Sequence, residues 1–130
     1  MNAITYVEKP AIAPDALNAL FARAWPDARP RDLAAILSRS LTYMVAFAGD
    51  RLVGYVNVAT DGGEHAFLLD PTVDPAFQRR GIGLELVRLA TAAAARAGST
   101  WLHVDFEPAL EPFYRRAGFR SSMAGLIRLK

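Results

Sequence analysis

The sequence predicts an α+β domain with a mixed, mostly antiparallel sheet of six to seven strands and helices on both faces. Three observations predict this class. Strand-like and helix-like apolar periodicities succeed one another along the chain. Short turns separate the middle strands, which favours antiparallel pairing. A long amphipathic helix lies between two later strands, and such a crossover connects parallel neighbours.

The first half of the chain predicts one strand, two helices and three further strands. Residues 4–8 are rich in β-forming side chains and end before Pro10, and apolar residues at helical spacing follow Pro14 and Pro30. Residues 41–48 and 51–60 are joined by Gly49-Asp50, the composition of a tight hairpin turn. A second turn leads into a strand over residues 64–73. These three strands are expected to form an antiparallel meander.

The second half predicts a long helix, a strand, a short helix and a closing strand. The long helix runs from a glycine loop to about Ala97, where Gly98 ends it. Its predicted apolar stripe consists of Ile82, Leu86, Leu89, Ala90, Ala93 and Ala97. A strand over residues 101–106, a helix over 108–117 and a strand over 123–129 follow. The strands 64–73 and 101–106 are expected to be parallel neighbours.

Composition fits one folded domain over residues 1–130. The chain is 52% hydrophobic and 22% charged, which supports a sizeable core. It contains no cysteine, which excludes a disulfide framework, a thiolate metal site and a cysteine nucleophile. We expect no metal. No apolar run approaches the roughly 18 residues of a membrane span, and the N-terminus lacks a signal-peptide pattern, so we expect a cytoplasmic protein.

The small net charge of +2 hides an asymmetry between the two halves. Residues 1–74 hold six basic and nine acidic residues, a formal charge of −3, whereas residues 75–130 hold nine and four, a charge of +5. An anionic ligand is therefore expected beside the C-terminal half. A nucleic-acid partner is disfavoured, because no lysine-rich run and no exposed aromatic platform is evident.

A glycine loop, residues 78–83 (QRRGIG), lies between a strand and the N-terminus of the longest helix. Unpaired amides and the positive end of the helix dipole coincide there, and glycines allow a ligand to approach the backbone. This pattern predicts a phosphate or pyrophosphate site. The other interpretation is a tight turn with solvated arginines. The loop is neither a Walker loop nor a complete dinucleotide fingerprint.

Residues 73–83 (VDPAFQRRGIG) and 113–119 (FYRRAGF) together resemble the GNAT superfamily of N-acetyltransferases. The resemblance extends to the whole order of elements, and the loop matches the family's Gln/Arg-x-x-Gly-x-Gly/Ala pattern. It implies acetyl-CoA as co-substrate, bound in a cleft where a parallel pair of strands splays apart. Because Pro71 has no amide hydrogen, backbone donors there must come from the next two residues. The cofactor-binding residues implied are Thr72, Val73, Gln78, Arg79, Arg80, Gly81, Ile82, Gly83 and Leu84.

The same resemblance implies that Tyr114 is the acid that protonates the departing thiolate. A phenol whose pKa is near 10 is still protonated at neutral pH, so it has a proton to donate. The other interpretation is that Tyr114 packs beside Phe113 as core. His65 is the candidate base, because it shares a face with Val73 if that strand is regular and because an imidazole can accept a proton near neutral pH. Equally, His65 could be an ordinary surface residue.

The sequence gives weaker signals for the residues that would bind the acceptor. Asp105 and Glu107 are candidates to attract a cationic amine, although they could instead cap the next helix or pair with neighbouring arginines. Glu107 also stands where many relatives of the family carry asparagine, so no asparagine-type contact is expected. Phe21 and Trp25 occupy the region that often forms a wall of the family's acceptor pocket, and core packing is the alternative for both.

The resemblance implies acetyl transfer to an amine by direct attack in a ternary complex. Without cysteine, no thiol is available to carry an acetyl-enzyme intermediate. The alternative is a non-catalytic sensor or regulatory module that binds acyl-CoA. The closing strand over residues 123–129 could also pair between subunits, so a homodimer is one expected state.

Overall fold

In the computed structural model, which describes residues 3–130, helices cover both faces of a five-stranded sheet. The strands and helices, in chain order, are β1 (Ile4–Glu8), α1 (Pro14–Ala24), α2 (Leu33–Arg39), β2 (Thr42–Ala48), β3 (Arg51–Thr60), β4 (His65–Val73), α3 (Ile82–Arg96), β5 (Trp101–His103) and α4 (Glu111–Arg116). Short 3-10 turns at Pro75–Phe77 and Pro108–Leu110 precede α3 and α4. No helix within residues 3–130 is both long and apolar enough to cross a bilayer.

The sheet has the order β1-β2-β3-β4-β5. The first four strands are antiparallel, and β4 and β5 are parallel, so the predicted meander and the predicted parallel pair are confirmed. The expected count of six to seven strands is wrong, because the described residues form five. β5 ends at His103, and residues 123–129 have no strand beside them; their polar backbone groups therefore lack the ladder that makes a strand.

Local residues fix the helix ends as the sequence suggests. Pro14 supplies a preset φ in the first turn of α1. The Asp32 carboxylate accepts a hydrogen bond from the Ala35 amide at 3.1 Å and caps α2. Gly98, at a φ of 98°, follows α3 in the left-handed conformation that glycine adopts without strain.

Two hydrophobic cores lie on opposite faces of the sheet. One, under α3, includes Val56, Val58 and Leu68, and the other, under α1 and α2, includes Val45 and Tyr55. Of the six predicted stripe residues of α3, four are buried, Leu89 is half-buried and Ala97, just after the helix, is exposed. The buried residues of α3 are Ile82, Leu86, Val87, Ala90, Ala93 and Ala94.

Helix α3 packs so closely on β3 that any residue larger than glycine at position 54 would force neighbouring side chains to shift. A Cβ built on Gly54 would lie 2.8 Å from Leu86 Cδ1 and 3.2 Å from the Cβ of Ala46. This close approach seats the start of α3, and with it the glycine loop, directly on the sheet.

Strand β4 contains a bulge just before its end. Asn57 of β3 lies opposite Leu69, but Tyr55 lies opposite Thr72, so β4 holds one extra residue between the two pairs. Asp70, in the bulge, has a φ of 55°, which is unusual for a residue other than glycine.

The bulge reverses the faces of β4 for its last residues. Val73 now lies on the α3 face, with Leu68, while His65 and Thr72 lie on the opposite face. The expectation that His65 shares a face with Val73 is therefore wrong, because it assumed a regular strand. His65 is also about 20 Å from Thr72 along the strand.

A buried carboxylate joins α1, β3 and the turn before α3. Asp74 is 2% exposed. Its Oδ2 accepts hydrogen bonds from Arg23 and Arg51, each at 2.8 Å, and its Oδ1 accepts one from the Ala76 amide at 2.9 Å. Burial alone would raise the pKa of Asp74, but the hydrogen bonds from Arg51, Ala76 and Arg23 outweigh it and hold the pKa below its usual value.

Removing the charge of Asp74 should weaken the fold in a pH-dependent way. We expect Asp74→Asn to lower the free energy of unfolding at pH 7 by about 1–3 kcal/mol, because two arginines lose a buried acceptor. The folded pKa is below the unfolded one, so this contribution is present above about pH 4 and is lost as the pH falls through the folded pKa.

Urea unfolding from pH 7 to pH 3 checks this expectation. The variant should show a shallower loss of stability with acid than the parent chain. Asp50→Asn, at an exposed turn residue, is the matched control. Equal acid profiles for the parent and Asp74→Asn would contradict the role given to the buried carboxylate.

Candidate active site

A groove of about 570 Å³ opens where β4 and β5 separate. The two strands pair only from His65 opposite Trp101 to Phe67 opposite His103. Beyond Phe67, β4 continues to Val73 with no β5 residue beside it. The described residues that line the groove include two arginines and no carboxylate, namely Ala24, Trp25, Pro71, Thr72, Val73, Phe77, Gln78, Arg79, Gly81, Ile82, Gly83, Leu84, Leu86, Leu110, Phe113, Tyr114 and Arg116.

The glycine loop forms one end of this groove. Gly81 is the N-cap of α3 at a φ of 80°, and no side chain caps the helix there. The first amides of α3 therefore have no partner within the helix. Arg79, at a φ of 64°, is a second left-handed residue in the same loop. These amides, with the helix dipole and the charge of Arg79, make this end of the groove suited to an anion.

Most residues expected to contact the cofactor lie together in the groove. Thr72, Val73, Gln78, Arg79, Gly81, Ile82, Gly83 and Leu84 all line it. Arg80 does not, and its guanidinium instead lies 5.0 Å from the centre of the Phe77 ring.

Tyr114 both lines the groove and packs as core. The residue is 4% exposed, and the rings of Phe106 and Phe113 lie 4.5 and 4.9 Å from its own. Burial, and then the negative charge of Asp105, raise the pKa of the Tyr114 phenol. The phenol therefore stays protonated through neutral and mildly alkaline pH, as a proton donor must.

The other predicted site residues, His65, Asp105 and Glu107, do not line the groove. The Nδ1 of His65 is 2.7 Å from the Nε2 of His103, on the exposed part of β4 and β5. Asp105 and Glu107 are exposed and line neither cavity. The Glu107 side chain caps nothing, although its carbonyl accepts a hydrogen bond from the Leu110 amide at 2.9 Å.

A second cavity of about 340 Å³ adjoins the groove on the α1 side of the sheet. Trp25 and Thr72 line both, and the Trp25 indole donates a hydrogen bond to the Thr72 hydroxyl at 3.4 Å. Its full lining is Phe21, Trp25, Asp27, Ala28, Arg29, Arg31, Asp70 and Thr72. Sequence reasoning named the two aromatic residues but missed the four charged ones. Of these, Asp70 has a sequence signal, an acidic residue followed by proline near the end of a strand.

The chain is similar in sequence to one protein family and to several curated proteins. Residues 12–119 match the profile of the Acetyltransferase (GNAT) family. A mycothiol acetyltransferase from Nocardia farcinica is 35% identical over 80 residues, which are 62% of this chain and 26% of that protein. One from Rhodococcus jostii is 31% identical over 81 residues, with the same coverage. The chain thus spans about a quarter of the length of these curated relatives.

Solved structures share the fold at low sequence identity. A GNAT family acetyltransferase from Streptococcus pneumoniae has a TM-score of 0.83 at 24% identity, covering 98% of both chains. A GNAT family acetyltransferase from Brucella melitensis, solved in complex with acetyl-CoA, has a TM-score of 0.75 at 20% identity, covering 93% of this chain and 85% of that one.

The two glycines of the loop should differ in their response to alanine. Gly81→Ala places a side chain at a positive φ and is expected to cost about 1–2 kcal/mol of stability. Gly83 lies inside α3, and a Cβ there meets only ordinary contacts at 3.6 Å, so Gly83→Ala should raise stability by up to about 1 kcal/mol. Thermal unfolding of both variants measures this difference. Destabilisation by Gly83→Ala as large as that by Gly81→Ala would contradict the assignment.

Proposed function

Since the chain belongs to the acetyltransferase (GNAT) family, we propose that it transfers an acetyl group from acetyl-CoA to an amine acceptor by direct attack in a ternary complex. The observation that carries this proposal is the groove between the diverging strands, because its lining brings the glycine loop and Tyr114 together. The glycine loop can bind the phosphates of a phosphorylated thioester, and Tyr114 can supply a proton to the thiolate that leaves during the transfer.

The cofactor would lie along the groove with its pyrophosphate at the glycine loop. The amides of residues 79–84 would bind the phosphate oxygens, and Arg79 and Arg116 add positive charge. The pantetheine arm would follow the apolar part of the lining, beside Phe77 and Phe113. Since Pro71 cannot donate, Thr72 and Val73 are the residues whose amides would meet the arm and the acetyl carbonyl.

The transfer itself needs one bond to form and one to break. The amine nitrogen, once deprotonated to solvent, would attack the thioester carbon, a C–N bond would form and the C–S bond would break. The departing thiolate would take the proton of the Tyr114 phenol, and the nitrogen, positively charged after the attack, would release a proton to solvent, from which the phenolate would regain its own. The chain holds no cysteine to carry the acetyl group, which favours direct attack of the amine on the thioester. His65 has no part in this scheme, because it lies outside the groove.

Tyr114→Phe tests the acid directly. We expect turnover to fall about 100-fold or more, because the ring keeps its packing against Phe106 while the proton donor is lost. The affinity for acetyl-CoA should change little. Thiol release in the presence of amines measures turnover, and calorimetry measures the affinity for acetyl-CoA.

The control is Tyr6→Phe, which removes a phenol from β1, away from the groove. Unchanged turnover in Tyr114→Phe would remove Tyr114 as the acid. Tight acetyl-CoA binding by the parent chain without thiol release for any amine would instead favour a non-catalytic acyl-CoA-binding module.

We also propose that the chain forms a homodimer through its C-terminal segment. Met123, Leu126, Ile127 and Leu129 are between 80% and 100% exposed, which is unusual for so many large apolar residues in one short segment. Strand β5 is an edge of the sheet, with one side unpaired. Residues 123–129 of a second copy would give that edge a neighbour and cover the exposed apolar residues.

Light scattering after gel filtration tests the dimer. The full chain should have the mass of a dimer, and a variant ending at residue 120 should have that of a monomer, because the segment that pairs is lost. A helix-surface variant, Arg39→Gln, should remain dimeric. A monomeric full chain at micromolar concentration would contradict this proposal.

A further inference from the structure

The cavity beside the groove is balanced in charge, unlike the groove itself. Asp27 and Asp70 line it together with Arg29 and Arg31. A polyamine would be bound better by an excess of carboxylates, and an anion by an excess of arginines. Equal numbers of both charges suit a ligand that carries an ammonium and a carboxylate together.

Arg31 is held in place with most of its hydrogen-bond donors unused. The Asn18 side chain accepts a hydrogen bond from the Arg31 amide and donates one to its carbonyl, both at 3.1 Å. The guanidinium lies 4.8 Å from the centre of the Phe21 ring and donates to the Asp70 Oδ2 at 3.2 Å. Within residues 3–130 that is its one side-chain hydrogen bond, so four of its five donors remain for a ligand carboxylate.

Asp70 presents the opposite charge at the junction of the two cavities. Its Oδ2 accepts from Arg31, and its Oδ1 has no partner in the part of the chain that the structure describes. The bulge directs this residue to the α1 face immediately before Pro71 and Thr72, which line the groove. An ammonium bound by Asp70 would therefore lie beside the proposed position of the acetyl thioester.

Aromatic side chains supply the remaining wall. Trp25 is 53% exposed, an unusual state for so large an aromatic residue, and Phe21 lies below the guanidinium of Arg31. An apolar or aromatic side chain on the ligand would cover Trp25. The volume of about 340 Å³ accommodates a molecule of amino-acid size.

From this arrangement we infer that the acceptor is an α-amino acid with an apolar or aromatic side chain. Arg31 binds its carboxylate, Asp70 its ammonium, and Trp25 its side chain. This inference rests on the proposed acetyl transfer for the fate of the amine, but the binding site is testable without turnover.

The experiment compares L-phenylalanine with L-phenylalaninamide, which keeps the amine and the ring but lacks the carboxylate. Each is titrated by calorimetry into the chain saturated with coenzyme A. We expect the acid to bind about tenfold or more tightly than the amide, because hydrogen bonds to a charged group are lost in the amide. Arg31→Gln should abolish that preference while leaving the amide affinity within about twofold, and Arg39→Gln, on exposed α2 surface, should preserve it.

Thiol release with acetyl-CoA, using the same two compounds and spermidine, separates the two proposals. Selective binding of the acid without thiol release would contradict the transfer and leave the amino-acid site standing. Release that is fastest with spermidine, or a preference for acid over amide that Arg31→Gln does not change, would overturn the amino-acid site and leave the transfer standing. Equal affinity of the parent chain for acid and amide would also overturn it.

Discussion

The paired carboxylate of Asp74 is the interaction on which the geometry of both cavities depends. A buried charge is tolerated only when it is paired and hydrogen-bonded, and here Arg23, Arg51 and the Ala76 amide satisfy it. These partners belong to the end of α1, the start of β3 and the turn that leads into the glycine loop. The same contact therefore positions Trp25, just after α1, and Gly81, just after the turn.

The bulge in β4 is the second constraint, because it changes the face of the sheet to which the last side chains of the strand point. Asp70 lines the cavity under α1, whereas Val73, a few residues later, lines the groove on the α3 side. A regular strand would alternate its side chains without this change of phase. The left-handed backbone at Asp70 is a strained conformation that persists because the surrounding sheet enforces it, and such residues concentrate at binding sites.

Local patterns predicted the class of the fold, the antiparallel meander, the parallel pair and the long helix, because periodicity and turn residues are local properties. They also predicted an anion site at the glycine loop, whereas the role of Tyr114 was implied by the resemblance to the family. The phase of β4 could not be predicted, because a bulge depends on pairing with β3, and this misled the interpretation of His65. Arg31 and Asp70 were missed for a related reason, since 39 residues separate them and only the folded chain brings them together. The predicted closing strand over residues 123–129 is absent, because an apolar pattern becomes a strand only when it pairs with a neighbour, and these residues pair with no strand within residues 3–130 of their own chain.

Amide hydrogen exchange with and without coenzyme A shows where the cofactor binds without relying on turnover. If coenzyme A lies in the groove, exchange should slow at residues 79–84 and at Thr72 and Val73 when it is bound, and exchange in β1 should stay unchanged. Protection confined to other parts of the sheet, with the glycine loop exchanging at its free rate, would contradict this position of coenzyme A.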